Sequence, residues 1–85
     1  MKVKCLLMDI GSTFIKYEVY NQGSGELEMW SKVPFPEPVL NRGDRFLVSC
    51  EQIGNKIFEI FDLTKDYDVK KTYIRSLNRK DKLWH

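Results

Sequence analysis

The sequence predicts an α/β domain on a mixed sheet: a three-stranded antiparallel meander, one crossover helix, and a fourth strand returned in parallel. Three observations point there. Val3 to Met8 is nearly all apolar, as in a strand buried on both faces. The next two segments alternate apolar and polar residues around a cluster of turn formers. Beyond a proline-rich connector, isoleucines recur at helical spacing and lead into a further β-type run.

The elements follow in order. The first strand spans about 3–9 and ends on Asp9, followed by the turn Gly11-Ser12-Thr13. From Phe14 to Tyr20, Ile15, Tyr17 and Val19 fall on one side and Lys16 and Glu18 on the other, a half-exposed second strand. "NQGSGE", 21–26, reverses the chain. Leu27 to Val33 reads as a third strand, with Leu27, Met29 and Ser31 opposite Glu28, Trp30 and Lys32. "PFPEP", 34–38, cannot join a central ladder because proline lacks the amide donor.

A polar loop, "NRGD", covers 41–44, and Arg45 to Val48 reads as a strand fragment. Ser49 and Gln52 then have the spacing of a capping box, so the helix is expected over about 50–62. Its stripe is Ile53, Ile57, Ile60 and Phe61. Gly54 weakens such a helix by up to about 1 kcal/mol relative to alanine. "DLTKDYD" ends it, and a fourth strand is expected over about 69–74, placed beside the first by a right-handed crossover. One helix covers one face, so the other face and the outer edge of the fourth strand stay open, and the edge invites self-association.

Composition bounds the function. A chain of 85 residues makes one small domain, near the size at which a single core is only marginally self-supporting. Its net charge of +2 is too slight to argue for nucleic acid or an acidic membrane, and neither is expected as a partner. Cys5 and Cys50 lie in unlike settings and fit reduced, packed thiols of a cytoplasmic protein. Lys2 and Lys4 precede an apolar run, but Asp9 interrupts it and no small-residue cleavage site follows. The chain has no apolar segment of membrane-spanning length.

The chemistry-bearing stretch is "LLMDIGSTFIKYEVY", 6–20. A tight turn converges backbone amides on an anion, and Gly11 allows close approach. Ser12 and Thr13 add hydroxyl donors, and Lys16 adds a point charge. Asp9, at the carboxyl end of a buried strand, can hold magnesium through its water shell. An ordinary hairpin, with Lys16 solvated, is the alternative reading of the same residues. The turn is not a Walker-type loop, because the Gly-Lys element is absent and no helix follows.

This stretch resembles the first phosphate-binding hairpin of the actin, sugar kinase and heat-shock chaperone superfamily, in which an Asp-x-Gly-Ser/Thr turn joins the first two strands. "NQGSGE", the proline connector, "RFLVSCEQIGNKIFEIF" and "YDVKKTYI" then fall in the order found at the amino terminus of FGGY-type carbohydrate kinases. The resemblance covers residues 3 to about 74. It implies part of a ribonuclease H-like, actin-like ATPase domain, with ATP and a sugar as partners and magnesium as cofactor. By that resemblance Asp9 helps to position magnesium and the attacking hydroxyl, Gly11, Ser12 and Thr13 wrap the nucleotide phosphates, and Lys16 lies near the transferred one.

After Ile74 the family pattern is Ser-x-Gln-Met-His-Gly or a relative, whereas this chain reads "RSLNRKDKLWH". The sugar contacts, catalytic base and second phosphate loop of the resembled kinases lie beyond that point and have no counterpart here. The expectation is a truncated kinase, residues 1–74, followed by a divergent basic tail at 75–85 and inactive alone. A solvated terminus accounts for Arg79, Lys80, Lys82 and Trp84, and His85 has no ligand set around it. Two rivals remain: another actin-like ATPase, and a small interaction module that merely shares the hairpin.

Overall fold

The computed structural model describes residues 3–39 and 46–76. The loop at 41–44 and the tail beyond 76 lie outside the described residues. Four strands, β1 (Lys4–Ile10), β2 (Phe14–Asn21), β3 (Leu27–Pro34) and β4 (Lys71–Ser76), form one sheet with the order β3-β2-β1-β4. β1 pairs antiparallel with β2 and parallel with β4, and β2 pairs antiparallel with β3. Helix α1 (Phe46–Leu63) makes the crossover. This is the mixed α/β sheet expected from the sequence. No described helix is long and apolar enough to cross a membrane.

Side-chain alternation sorts the sheet into two faces. Leu6, Met8, Ile15, Tyr17, Val19 and Val33 point to the helix side and form one buried cluster with Phe35 and Ile60. Removing such side chains from water is the main stabilising term, about 1.5–3 kcal/mol for each large one. The opposite face carries Cys5, Leu7 and Asp9 on β1 and Lys16, Glu18 and Tyr20 on β2. In register with these stand Trp30 and Lys32 on β3 and Lys71, Tyr73 and Arg75 on β4. Trp30 is 57% exposed, so it lies on the open sheet surface and not in the core.

The second hairpin is organised by Asn21. Its side-chain oxygen accepts from the amides of Gly23 at 3.0 Å and Ser24 at 3.1 Å, and Gly25 takes the left-handed φ of 76° that the loop requires. A bulge follows at Val19/Tyr20 against β3. Lys4 on β1 reaches Glu28 on β3 at 2.8 Å, a bridge across the intervening strand.

The largest differences from the sequence reading lie at the start of α1 and in β4, with shifts of about a residue at the other element ends. Phe46 to Val48 is helical, not a strand fragment, so Ser49 lies buried inside α1 instead of capping it. Phe46, Ser49, Ile53, Ile57 and Ile60 continue one stripe at three- and four-residue spacing, which outweighs the β propensity of a three-residue run. Gln52 does not complete a capping box. Its amide bonds both backbone groups of Glu37, at 3.3 and 3.1 Å, fastening the connector to the helix.

β4 begins at Lys71 instead of 69. Thr64 closes the helix by donating its hydroxyl to the Ile60 carbonyl at 2.8 Å, a 3-10 turn follows at Lys65–Tyr67, and Asp68 turns left-handed at φ 55°. Val69 then packs on the core, and the ladder starts two residues later.

Two outcomes check this packing. Cys50 is exposed and Cys5 fully buried, so a thiol-specific disulfide reagent labels Cys50 at once and Cys5 only on the timescale of unfolding. Simultaneous labelling of both in native buffer contradicts the fold. A Cβ added at Gly54 meets nothing within 4 Å. Gly54→Ala therefore stabilises the protein by about 0.5–1 kcal/mol in urea denaturation.

Candidate functional site

The hairpin turn 11–13 stands at the carboxyl ends of β1 and β4, the parallel pair, where Ile10 lies opposite Ser76. Open α/β sheets take ligands at this end. The hairpin closes through the Gly11 amide, which donates to the Phe14 carbonyl at 3.0 Å. The connector braces it: the Phe35 amide donates to the Thr13 carbonyl and the Val39 amide to the Ser12 carbonyl, each at 2.8 Å. Pro34 closes β3 opposite Phe14 on the edge of the sheet, where its missing amide costs no ladder bond. The chain then bends at Pro36 to bring Val39 back to the turn. Ser12 and Thr13 themselves are exposed.

Asp9 is 7% exposed, the last charged group on the central strand before the turn. Its register neighbours are Lys16 on β2 and Arg75 on β4. Arg75 meets the carboxylate side-on, donating Nε to Oδ1 and Nη2 to Oδ2, the latter at 3.3 Å. This hydrogen-bonded contact with Asp9, and then the attraction of its charge, raise the Arg75 pKa further above its ordinary value. Lys16 takes another direction. Its ammonium lies 3.7 Å from a Glu18 oxygen and 5.7 Å from the centre of the Trp30 ring. Both contacts lie further along the strand, so the ammonium leans away from the turn.

The structure thus brings Asp9, Gly11, Ser12 and Thr13 to one end of the sheet. It places Lys16 on the same face as Asp9 but engages it elsewhere. Arg75 is the residue that sequence reasoning missed, having been assigned to the divergent tail although β4 runs on to Ser76. The only signal for it is the register of the parallel pair, which cannot be read before the start of β4 is known.

Among the described residues no group of three His, Cys, Asp or Glu side chains stands ready for a metal ion. A crevice of about 300 Å³, lined by residues that include Leu6, Phe61, Thr64, Val69 and Thr72, lies near the start of β4, away from the turn.

The Asp9–Arg75 contact has a measurable consequence. Arg75→Ala strands a nearly buried carboxylate without its counter-charge, and the melting temperature falls by about 5 °C or more. In an Asp9→Asn background the same Arg75→Ala change has less than half that effect, because a neutral amide needs no counter-charge. Equal losses in the two backgrounds would show that the pair is not coupled.

Comparison of the chain with protein-family models, with curated proteins and with solved structures produced no match in any of the three.

Proposed function

We propose that this chain is the amino-terminal part of an ATP-dependent carbohydrate kinase of the ribonuclease H-like class, and that its contribution is to hold the nucleotide phosphates at the turn 11–13. One observation carries the reading: a Gly-Ser-Thr turn with exposed Ser12 and Thr13, braced by the connector, at the carboxyl ends of a parallel strand pair, with a nearly buried aspartate beside it.

The chemistry of each group follows from its setting. The Ser12 and Thr13 hydroxyls are exposed and can donate to phosphate oxygens. Lys16 is held by a pair with Glu18 at 3.7 Å whose side chains are 44% and 26% exposed. Such a pair contributes only about 0.2–1 kcal/mol, so a phosphate can draw the ammonium to the turn at small cost. Asp9 differs, because Arg75 bonds both of its oxygens.

Magnesium does not fit that arrangement. A carboxylate paired side-on with a guanidinium keeps a lone pair on each oxygen, but its negative charge is already compensated, so it draws a hydrated cation only weakly. The phosphate contact is accordingly assigned to the turn and Lys16 alone. The chain binds and orients an anion and carries out no phosphoryl transfer by itself, because that chemistry rests on positioned charge from several parts of a full site.

Self-association through β4 is the rival with an observation behind it, since Tyr73 and Ile74 on that strand are 43% and 49% exposed. An antiparallel pairing of two copies centred on Tyr73 sets Lys71 against Arg75, however, and like charges facing each other weaken such a ladder.

Titration of the full chain with ATP, followed by backbone amide NMR, tests the phosphate reading. The expected shifts are confined to residues 11–16, persist without magnesium, and weaken about tenfold in Lys16→Ala. No shift at those amides at millimolar ATP, or shifts centred on another surface, would defeat it. Arg75→Ala separates the two ions: it frees Asp9, so magnesium then strengthens ATP binding where it does not in the parent chain.

A further inference from the structure

We propose that the open face of the sheet binds a single-stranded nucleic acid laid across the strands. This goes beyond the phosphate reading of the turn: the two share Lys16, but the proposal stands on Trp30, Tyr73 and Lys32, which that reading does not use.

The first observation is a division of charge. The described residues hold eight cations and ten carboxylates, so this part of the chain is slightly acidic. The open face reverses that balance, with Lys16, Lys32, Lys71 and Arg75 against Asp9 and Glu18. The helix and its flanks carry most of the remaining acids, among them Glu51, Glu59, Asp62, Asp66 and Asp68. A net charge taken over the whole chain averages these surfaces, which is why composition argues against a nucleic-acid partner while the folded surface argues for one.

The second observation is the order of side chains across that face. Register sets Lys32, Lys16, Asp9 and Arg75 in one row over the four strands, three cations about one carboxylate. The adjacent row, two residues along each strand and so about 7 Å away, reads Trp30, Glu18, Leu7 and Tyr73. Its two ends are aromatic and accessible, with Trp30 57% and Tyr73 43% exposed. Three strand spacings separate them, about 14 Å, a span that two to three nucleotides of extended single strand can cover. A backbone along this row, met by Lys32 and Lys16 while Arg75 keeps its bonds to Asp9, therefore brings bases to both aromatic positions.

The contacts already present match this use. Lys16 rests 5.7 Å from the Trp30 ring centre and Lys32 4.7 Å from the Phe14 ring centre. The rings thus attract cations on their faces, and the ammonium that leaves Trp30 for a phosphate uncovers a stacking surface. An acidic peptide would use the cations and leave the rings idle. A duplex buries its bases and cannot stack on either ring, so a single strand suits the face better.

The test is fluorescence anisotropy of the full chain with a labelled oligothymidine of about twelve nucleotides at low salt. Trp30→Ala and Tyr73→Ala each weaken binding by about 5- to 100-fold, Trp30→Phe restores most of the loss, and Lys32→Glu weakens binding and flattens its salt dependence. Near-UV circular dichroism confirms that each variant is folded.

Unchanged affinity in both alanine variants overturns the proposal, because binding is then charge alone. So does equal competition by duplex DNA, polyglutamate or phosphatidylserine vesicles, which would identify a different anionic partner. Failure of the ATP titration leaves these outcomes unaffected, since neither Trp30 nor Tyr73 belongs to the turn.

Discussion

β1 is buried on both faces although only one face of the sheet has a helix, and the rest of the molecule arranges itself around that constraint. On the helix side Leu6 and Met8 are fully enclosed by the shared core. On the other side Cys5 is equally enclosed and Asp9 nearly so. Beside them in register stand Tyr20 opposite Cys5 and Tyr73 opposite Leu7, and Arg75 bonds the carboxylate. Burial and the adjacent Cys5 thiol raise the Tyr20 pKa, as expected where a phenol helps to close such a surface. A carboxylate at 7% exposure is tolerable only with a counter-charge, and β4 supplies it. The parallel pair is therefore held by an ion pair as well as by its ladder.

The strand order was legible because each step has a local cause. Alternation identifies β2 and β3, turn chemistry at 21–26 fixes their hairpin, and the handedness of crossovers places β4 beside β1. Boundaries were less legible, for physical reasons that differ at each end. "FLV" at 46–48 fits either period, and only its continuity with Ser49 and Ile53 makes it helical. Val69 is as apolar as a strand residue but fills a gap beside the helix end, so hydrophobicity overstates the ladder by two residues.

The candidate site was half legible. Asp9 and the Gly-Ser-Thr turn are contiguous in sequence, and contiguity brings them together whatever the rest of the fold does. Arg75 is remote from them in the chain, and nothing local marks it as the residue opposite Asp9. The resemblance to the carbohydrate kinases ends just before it, which made a strand residue read as the start of a tail. Lys16 shows the reverse limitation: register puts it beside Asp9, yet a long side chain follows the nearest carboxylate and ring, not its backbone neighbour.

Lys16 is also where the two readings of this surface meet. Its ammonium is shared between Glu18 and the Trp30 ring, and in both proposals it is drawn from there to a phosphate. Each contact is weak by itself, and weakness lets one cation serve several anions in succession. Asp9 and Arg75 stand at the other extreme, mutually satisfied and costly to separate. The face therefore combines a fixed charge pair at β1 and β4 with adaptable cations over β2 and β3. An anion approaching this sheet is met by the adaptable side first, because only there do charges rearrange without stranding a buried partner.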